Sequence, residues 1–378
     1  MTADRLKRFK AAFRRDGLVH VNNAGVAPMC QPAIDAATQV AERMSGGSHA
    51  VGELLADQER ARDAFARLVG AKAENVSMMQ TCAAAITQVA LGLSLPEGAE
   101  IVTWDQEYPS NAYPWYEAAR RVNGRVVAVP SRDDLSVDTG RLVDAISPRT
   151  RVVAVSWVQF QTGAITDLER VVEACHKAEA WLVVDAIQGL GVLPFDLEAM
   201  GVDAVCGGTH KWLCGPVGHG FVAFREGRRD EVWPLFHGAI TYGTPEDRPA
   251  PGREPRRDPR RFEPGTPLLF GSIAGGAAVE LLLETGLDVI RAEALRLSSL
   301  LAEGVRARGG RVLSATEGEL RSPITTFVPR GDMEALTERL REDGVAFSLR
   351  GGGVRISPHG FNTDDDIERV LAALDAFA

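Results

Sequence analysis

The chain has 378 residues, enough for one large domain and a smaller one. With 45% hydrophobic and 25% charged residues its composition is that of a soluble globular protein, and a net charge of −9 argues against a nucleic-acid or anionic-membrane surface. Five scattered cysteines (Cys30, Cys82, Cys175, Cys206, Cys214) without a CxxC pair indicate neither a zinc site nor a disulfide framework, and fit a reducing cytoplasm.

The first residues, Met1 to Arg8, lack the apolar core of a signal peptide, and no apolar run is long enough to cross a bilayer. Residues 3–15 read as a short basic amphipathic helix. A short strand, Val19-His20-Val21, leads into the polar turn Asn22-Asn23-Ala24-Gly25, whose asparagines can brace the turn through bonds to backbone. Helical periodicity runs over 31–44, breaks at 45–49 and resumes to about Leu68; His49, in the break, reads by itself as a loop or core histidine. The strand 76–80 then opens a helix at Cys82-Ala83-Ala84, with Thr81 at its cap. Thr81 could merely cap. The free N–H groups and positive dipole end at such a junction also make a phosphate cradle, and small residues let the backbone come close.

Further strands are expected at 100–104, 125–129, 151–156, 181–185, 204–206 and 221–224, alternating with helices over most of that span. Counted from Val76 this gives seven, an α/β doubly wound pattern with a mostly parallel sheet. From Gly243 to Pro267 the composition shifts to Pro and Arg, from Thr244-Pro245 through Arg256-Arg257 and Arg260-Arg261, which predicts a loop with a solvated basic surface. Helices at 272–285 and 288–308 follow. The remainder alternates short strands with helices at 333–343 and 364–376. The expected organisation is an N-terminal helical segment (1–20) packing with the small domain, a large α/β domain (21–270), connecting helices (271–310) and a small C-terminal α+β domain (311–378).

The chemistry concentrates in the middle of the sheet. The apolar run Trp181-Leu182-Val183-Val184 ends in Asp185, with Gln188 one turn on, and Ala204-Val205-Cys206 opens into Gly207-Gly208-Thr209-His210-Lys211. In open α/β sheets, ligands bind beyond the carboxyl ends of the strands. An acid and a lysine converging there suggest pyridoxal 5′-phosphate: the amine forms a Schiff base with the aldehyde and the acid keeps the pyridine nitrogen protonated. An aspartate after a strand can also be a helix cap, and a lysine in a Gly-rich turn can be solvated. Neither GxGxxG nor GxxxxGK[ST] occurs, so a nicotinamide-dependent oxidoreductase, the rival from another class, lacks its fingerprint.

Val184-Asp185-Ala186-Ile187-Gln188-Gly189 and Gly208-Thr209-His210-Lys211-Trp212-Leu213 resemble the cofactor segments of class V aminotransferases. That family includes cysteine desulfurases, isopenicillin N epimerase-like enzymes and kynureninases. The resemblance runs from about His20 to the C-terminus and implies a fold-type-I pyridoxal phosphate enzyme, with Lys211, Asp185 and His210 at the catalytic centre. It implies that Thr81, Cys82 and Ala83 bind the phosphate and that Tyr108 stacks on the ring where desulfurases carry a histidine, although a one-residue slip would put Pro109 there. Where desulfurases have an asparagine bonding the ring's 3-oxygen, the direct match is Phe160; Gln159 or Gln161 could substitute, and Gln188 is a polar neighbour of the ring. Phe262-Glu263-Pro264-Gly265-Thr266-Pro267 resembles the segment whose threonine reaches the neighbouring subunit's cofactor phosphate, so Gly265 and Thr266 imply a homodimer with a shared active site. Arg355, in an R-x-S…N-T context, matches the arginine that takes the substrate carboxylate, by two parallel N–H···O bonds. Arg350, Asn23 and His49 are further substrate-side candidates.

Persulfide-forming desulfurases need a nucleophilic cysteine just before that arginine. Here the loop is Ser348-Leu349-Arg350-Gly351-Gly352-Gly353, and no cysteine follows Cys214. The expected activity is therefore at the α-carbon of an amino acid, as an aminotransferase or a lyase eliminating a C–S or other β-group, with epimerisation and decarboxylative or aldol chemistry as alternatives. Lys211 would be the general base in each. No metal, nucleic acid or membrane partner is indicated.

Overall fold

The structure, a computed structural model, describes residues 2–14, 17–243 and 251–375. The rest of the Pro/Arg-rich segment from Gly243 is described, but 244–250 lie outside, as do Arg15 and Ala376, which end two of the expected helices.

Seven strands build the main sheet: β1 (Val76–Met79), β2 (Glu100–Trp104), β3 (Arg125–Val129), β4 (Thr150–Ser156), β5 (Trp181–Asp185), β6 (Ala204–Gly208) and β7 (Gly220–Phe224). Their order is β1-β7-β6-β5-β4-β2-β3. Only β7 runs antiparallel to its neighbours β1 and β6; every other pairing is parallel. The α/β architecture is thus the one the alternating pattern predicts. Strands β2, β5, β6 and β7 are buried along their whole length. Helices cover both faces of such a sheet, so its strands read as continuous apolar runs rather than as alternation.

Register fixes the site. Ser156 pairs with Asp185 across β4 and β5, and Asp185 pairs with Cys206 across β5 and β6. The carboxyl ends of three central strands therefore lie side by side, with Lys211 three residues past the end of β6.

The N-terminal strand Val19–His20 pairs in parallel with Val345–Ala346, and Asn22 bridges to Ser357. Phe9 and Phe13 pack on Phe361. A four-stranded sheet, in the order Ser348–Arg350, Gly353–Ile356, Thr325–Val328, Arg311–Val312, completes the C-terminal region. The helices before it span Leu269–Thr285 and Leu287–Ala307, the first starting three residues earlier than periodicity suggests. That helix is apolar on nearly every side, so its first turn carries no amphipathic signal. No helix among the described residues is long and apolar enough to cross a membrane.

Candidate active site

A cavity of about 490 Å³ opens at the carboxyl ends of β4, β5 and β6. Lys211, Asp185, His210, Gln188 and Tyr108 line it, as do Thr81, Cys82 and Ala83 on one side and Arg350 and Arg355 on another. The structure thus draws ten residues from five separate stretches of chain to one place.

Asp185 ends a fully buried strand. Its Oδ1 accepts the Ile187 N–H at 3.0 Å and the Cys82 thiol at 3.5 Å, while Oδ2 takes no hydrogen bond among the described residues. Burial raises its pKa above the ordinary carboxylate value, against the pull of the Ile187 N–H and of Lys211. A buried carboxylate with one oxygen free and no bonded cation is an open receptor for a cationic ring N–H.

Lys211 is its counterpart. Nζ has no hydrogen bond or ion pair among the described residues, and it lies 5.7 Å from the centre of the Tyr108 ring. Burial is the largest cause of its lowered pKa; Arg355 and Arg350 push it down further, and Asp185 pulls it back. A desolvated amine beside other cations is easier to hold neutral, the state needed to attack an aldehyde or to take a proton. His210 is also lowered, by burial and then by Lys211.

The helix Cys82–Gly92 starts at the cavity wall. Thr81 Oγ1 accepts the Ala84 N–H at 3.0 Å, so Thr81 is a true cap. The N–H groups of Cys82 and Ala83 find no acceptor among the described residues, which leaves two donors at the positive end of a helix dipole. A Cβ on Gly220 would lie 2.5 Å from the Thr81 carbonyl carbon and 2.6 Å from the Cys82 nitrogen. Only glycine lets β7 back this turn so closely.

Arg355 is buried on the strand Gly353–Ile356. Its Nη1 donates to the Phe160 carbonyl at 2.6 Å, and Nη2 lies 3.5 Å from Ser348 Oγ. Nε is buried without a partner. Burial, then Arg350, brings its pKa down to about 10.

Other candidates lie elsewhere. Gln159 is buried and turned away from the cavity: its Nε2 donates to Glu107 Oε1 at 3.1 Å, so it does not reach the cofactor side. Asn23 is spent on the C-terminal region, donating from Nδ2 to the Ser357 carbonyl at 2.8 Å, while its neighbours Ala24, Gly25 and Val26 form the cavity wall. Gln188 is on the wall, but its amide is tied at both ends, to the Ala24 carbonyl at 3.0 Å and from Trp212 Nε1 at 2.9 Å. One amide proton remains. His49, Gly265 and Thr266 are exposed and outside this chain's cavity.

Sequence reasoning missed the buried network behind β4. Glu107 Oε1 accepts the Ser156 N–H at 2.7 Å, and Oε2 accepts the Ser156 hydroxyl at 2.5 Å and Asn111 Nδ2 at 2.9 Å. Burial raises Glu107 to about 7 despite these donors. Ser156 itself lines the cavity. The available signal was an acid next to Tyr108 in a stretch otherwise poor in charge.

A free carboxylate, a partnerless amine and a pair of unused helix N–H groups fit the three ends of pyridoxal 5′-phosphate. Fold and cavity together define a pyridoxal phosphate enzyme of fold type I. The sequence profile of "Aminotransferase class-V" matches residues 19–370. Isopenicillin N epimerase of Streptomyces clavuligerus is 31% identical over 84% of this chain and 83% of its own length. A probable cysteine desulfurase of Methanothermobacter thermautotrophicus is 26% identical over 95% and 94%. In fold, the Escherichia coli cysteine desulfurase CsdA superposes with a TM-score of 0.88 at 24% identity, covering 98% of both chains. The cystine C-S lyase C-DES, solved with its product cysteine persulfide, also gives 0.88, at 21% identity over 96% of this chain and 99% of that one. This chain belongs to the class V aminotransferase family, and its cofactor is pyridoxal 5′-phosphate.

Proposed function

We propose that the protein removes the α-proton of an amino acid and acts as an aminotransferase or as a lyase that eliminates a C–S or other β-group. The observation carrying this reading is the desolvated, partnerless Lys211 amine in one cavity with Asp185 and the buried Arg355. When bound, pyridoxal phosphate supplies the sink for the electron pair left on the α-carbon. Asp185 would hold the ring N–H, Thr81 and the Cys82 and Ala83 N–H groups would hold the phosphate, and Tyr108 would pack against the ring. Arg355 takes the α-carboxylate and so turns the α-hydrogen toward Lys211 Nζ, which accepts the proton. His210 and Gln188 position the cofactor from the wall.

Several relatives bear the name cysteine desulfurase. Persulfide transfer needs an accessible thiolate, and here all five cysteines are buried. Cys82 alone lines the cavity, and burial beside Asp185 raises its pKa well above the ordinary value. A protonated thiol is a poor sulfur acceptor. A second reading, epimerisation, is favoured by the relationship to isopenicillin N epimerase. Incubating the holoenzyme with single L-amino acids, and following keto acid, ammonia, sulfide and the D-isomer separately, tests the assignment. Keto acid without ammonia means transamination, ammonia with a released thiol means elimination, and racemised substrate alone means epimerisation. No change in any channel with any amino acid would overturn the proposal.

Because His49, Gly265 and Thr266 face solvent, we also propose that they complete a partner subunit's site in a homodimer. A strictly monomeric, fully active enzyme on sizing would remove them from it.

A further inference from the structure

One basic side chain of the cavity, Arg350, has no role in the readings above. Among its lining residues Lys211, Arg350 and Arg355 carry basic side chains, and Asp185 is the one carboxylate. Neither arginine forms a salt bridge among the described residues. Arg355 is pinned by Phe160 and Ser348 and suits the α-carboxylate. Among the described residues Arg350 donates only from Nη1, to its own neighbour, the Leu349 carbonyl, at 2.8 Å. The rest of its guanidinium is uncommitted at the cavity mouth.

Backbone geometry aims this second arginine. Ser348 pairs with Arg355 and Arg350 with Gly353 in an antiparallel hairpin. Arg350, Ser348 and Arg355 therefore share one face of the sheet, with the two arginines diagonal neighbours whose Cα atoms lie about 7–8 Å apart. Gly351 and Gly352 form the turn, both at positive φ (57° and 76°), as a tight two-residue hairpin requires. The turn packs on the other side of the cleft: a Cβ on Gly351 would lie 3.0 Å from Leu135 Cδ1 and 3.6 Å from Gln161 Cβ. So short and so supported a hairpin holds Arg350 at a fixed place on the rim.

We propose that Arg350 binds a second, side-chain carboxylate, and that the substrate class is amino acids with an acidic side chain. The inference rests on the amino-acid reading above. Arg355 takes the carboxylate next to the reacting carbon. Arg350, an exposed residue, takes the distal one, where its guanidinium N–H groups can form charge-assisted bonds without the cost of burying an unpaired ion. Two cations at fixed separation then select for substrate length as well as charge.

Two measurements on the holoenzyme test this. The first is binding of non-reacting acids, by calorimetry and by the shift of the cofactor's absorption band: glutarate or succinate should bind about 10- to 100-fold more tightly than butyrate, the worth of one charge-assisted pair. The second is the ratio of kcat/KM for L-glutamate over L-glutamine and for L-aspartate over L-asparagine. One acid should exceed its amide by a similar factor. Arg350→Gln should bring both ratios to within about threefold of unity, whereas Arg355→Gln should lower acid and amide together and leave their ratio in place. Amides used as well as acids by the wild type, or an acid preference that survives Arg350→Gln, would overturn the assignment of Arg350 while leaving amino-acid chemistry standing. Failure of every amino acid, acidic or neutral, to react or to shift the band would overturn both.

Discussion

Glu107 offers the sharpest energetic prediction. It is buried behind β4, receives four hydrogen bonds from neutral donors (Ser156 N–H and Oγ, Asn111 and Gln159) and forms no ion pair among the described residues. Burial raises its pKa from the ordinary 4.5 to about 7. The folded protein therefore binds this proton more tightly than the unfolded chain does. The stabilisation is fully present below pH 4.5 and is lost as the pH rises through about 7. At about 1.4 kcal/mol per pH unit, the loss is about 3 kcal/mol. Glu107→Gln keeps the shape and removes the titration. Urea unfolding of holoenzyme and variant, each measured at several values between pH 4.5 and 8.5, gives the difference in stability with all other titrations cancelled. Wild type should fall relative to the variant by about 3 kcal/mol across that window. Curves that run parallel within about 0.5 kcal/mol, or a wild type that gains relative stability with rising pH, would refute the burial argument.

Two further substitutions probe the frame of the site. Gly220→Ala puts a methyl group against Thr81 and Cys82 and should cost about 1–3 kcal/mol; because the turn it displaces is the proposed phosphate cradle, equilibrium dialysis should also show weakened cofactor binding, and unchanged affinity would place the phosphate elsewhere. Arg62 is 1% exposed, donates to both oxygens of Glu263 at 2.6 and 3.1 Å, and reaches the Val76 carbonyl at 2.7 Å; Arg62→Ala leaves the largely buried Glu263 with the Met78 N–H but no cation and should destabilise the fold by about 3–5 kcal/mol in denaturant unfolding, whereas a loss below about 1 kcal/mol would mean the pair is solvated.

Much of this arrangement was legible in residue order. Fully buried parallel strands write themselves as unbroken apolar runs, so β4, β5 and β6 and the polar groups at their ends stand out. Asp185 ends one of those runs, and His210 and Lys211 are the first ionisable groups after the other; topology then brings them together. Side-chain direction was not legible. Gln159 and Gln161 looked interchangeable, and only the packed structure shows Gln159 bonded to Glu107 behind the strand. Asn23 sits next to the cavity wall yet serves the C-terminal region, because the N-terminal strand pairs with Val345–Ala346. Glu107 was overlooked since an acid at a strand–helix junction reads as surface until its burial is known. The Gly220 contact joins β7 to a turn about 140 residues earlier, and local sequence patterns carry no such distance.

Reduction of the holoenzyme with borohydride followed by peptide mass spectrometry tests the centre of the account most directly. The cofactor mass should appear on the peptide carrying Lys211 and on no other, and Lys211→Ala should abolish it. The cofactor mass on Lys7, Lys10, Lys72 or Lys177, or a Lys211→Ala protein labelled as fully as the wild type, would contradict it.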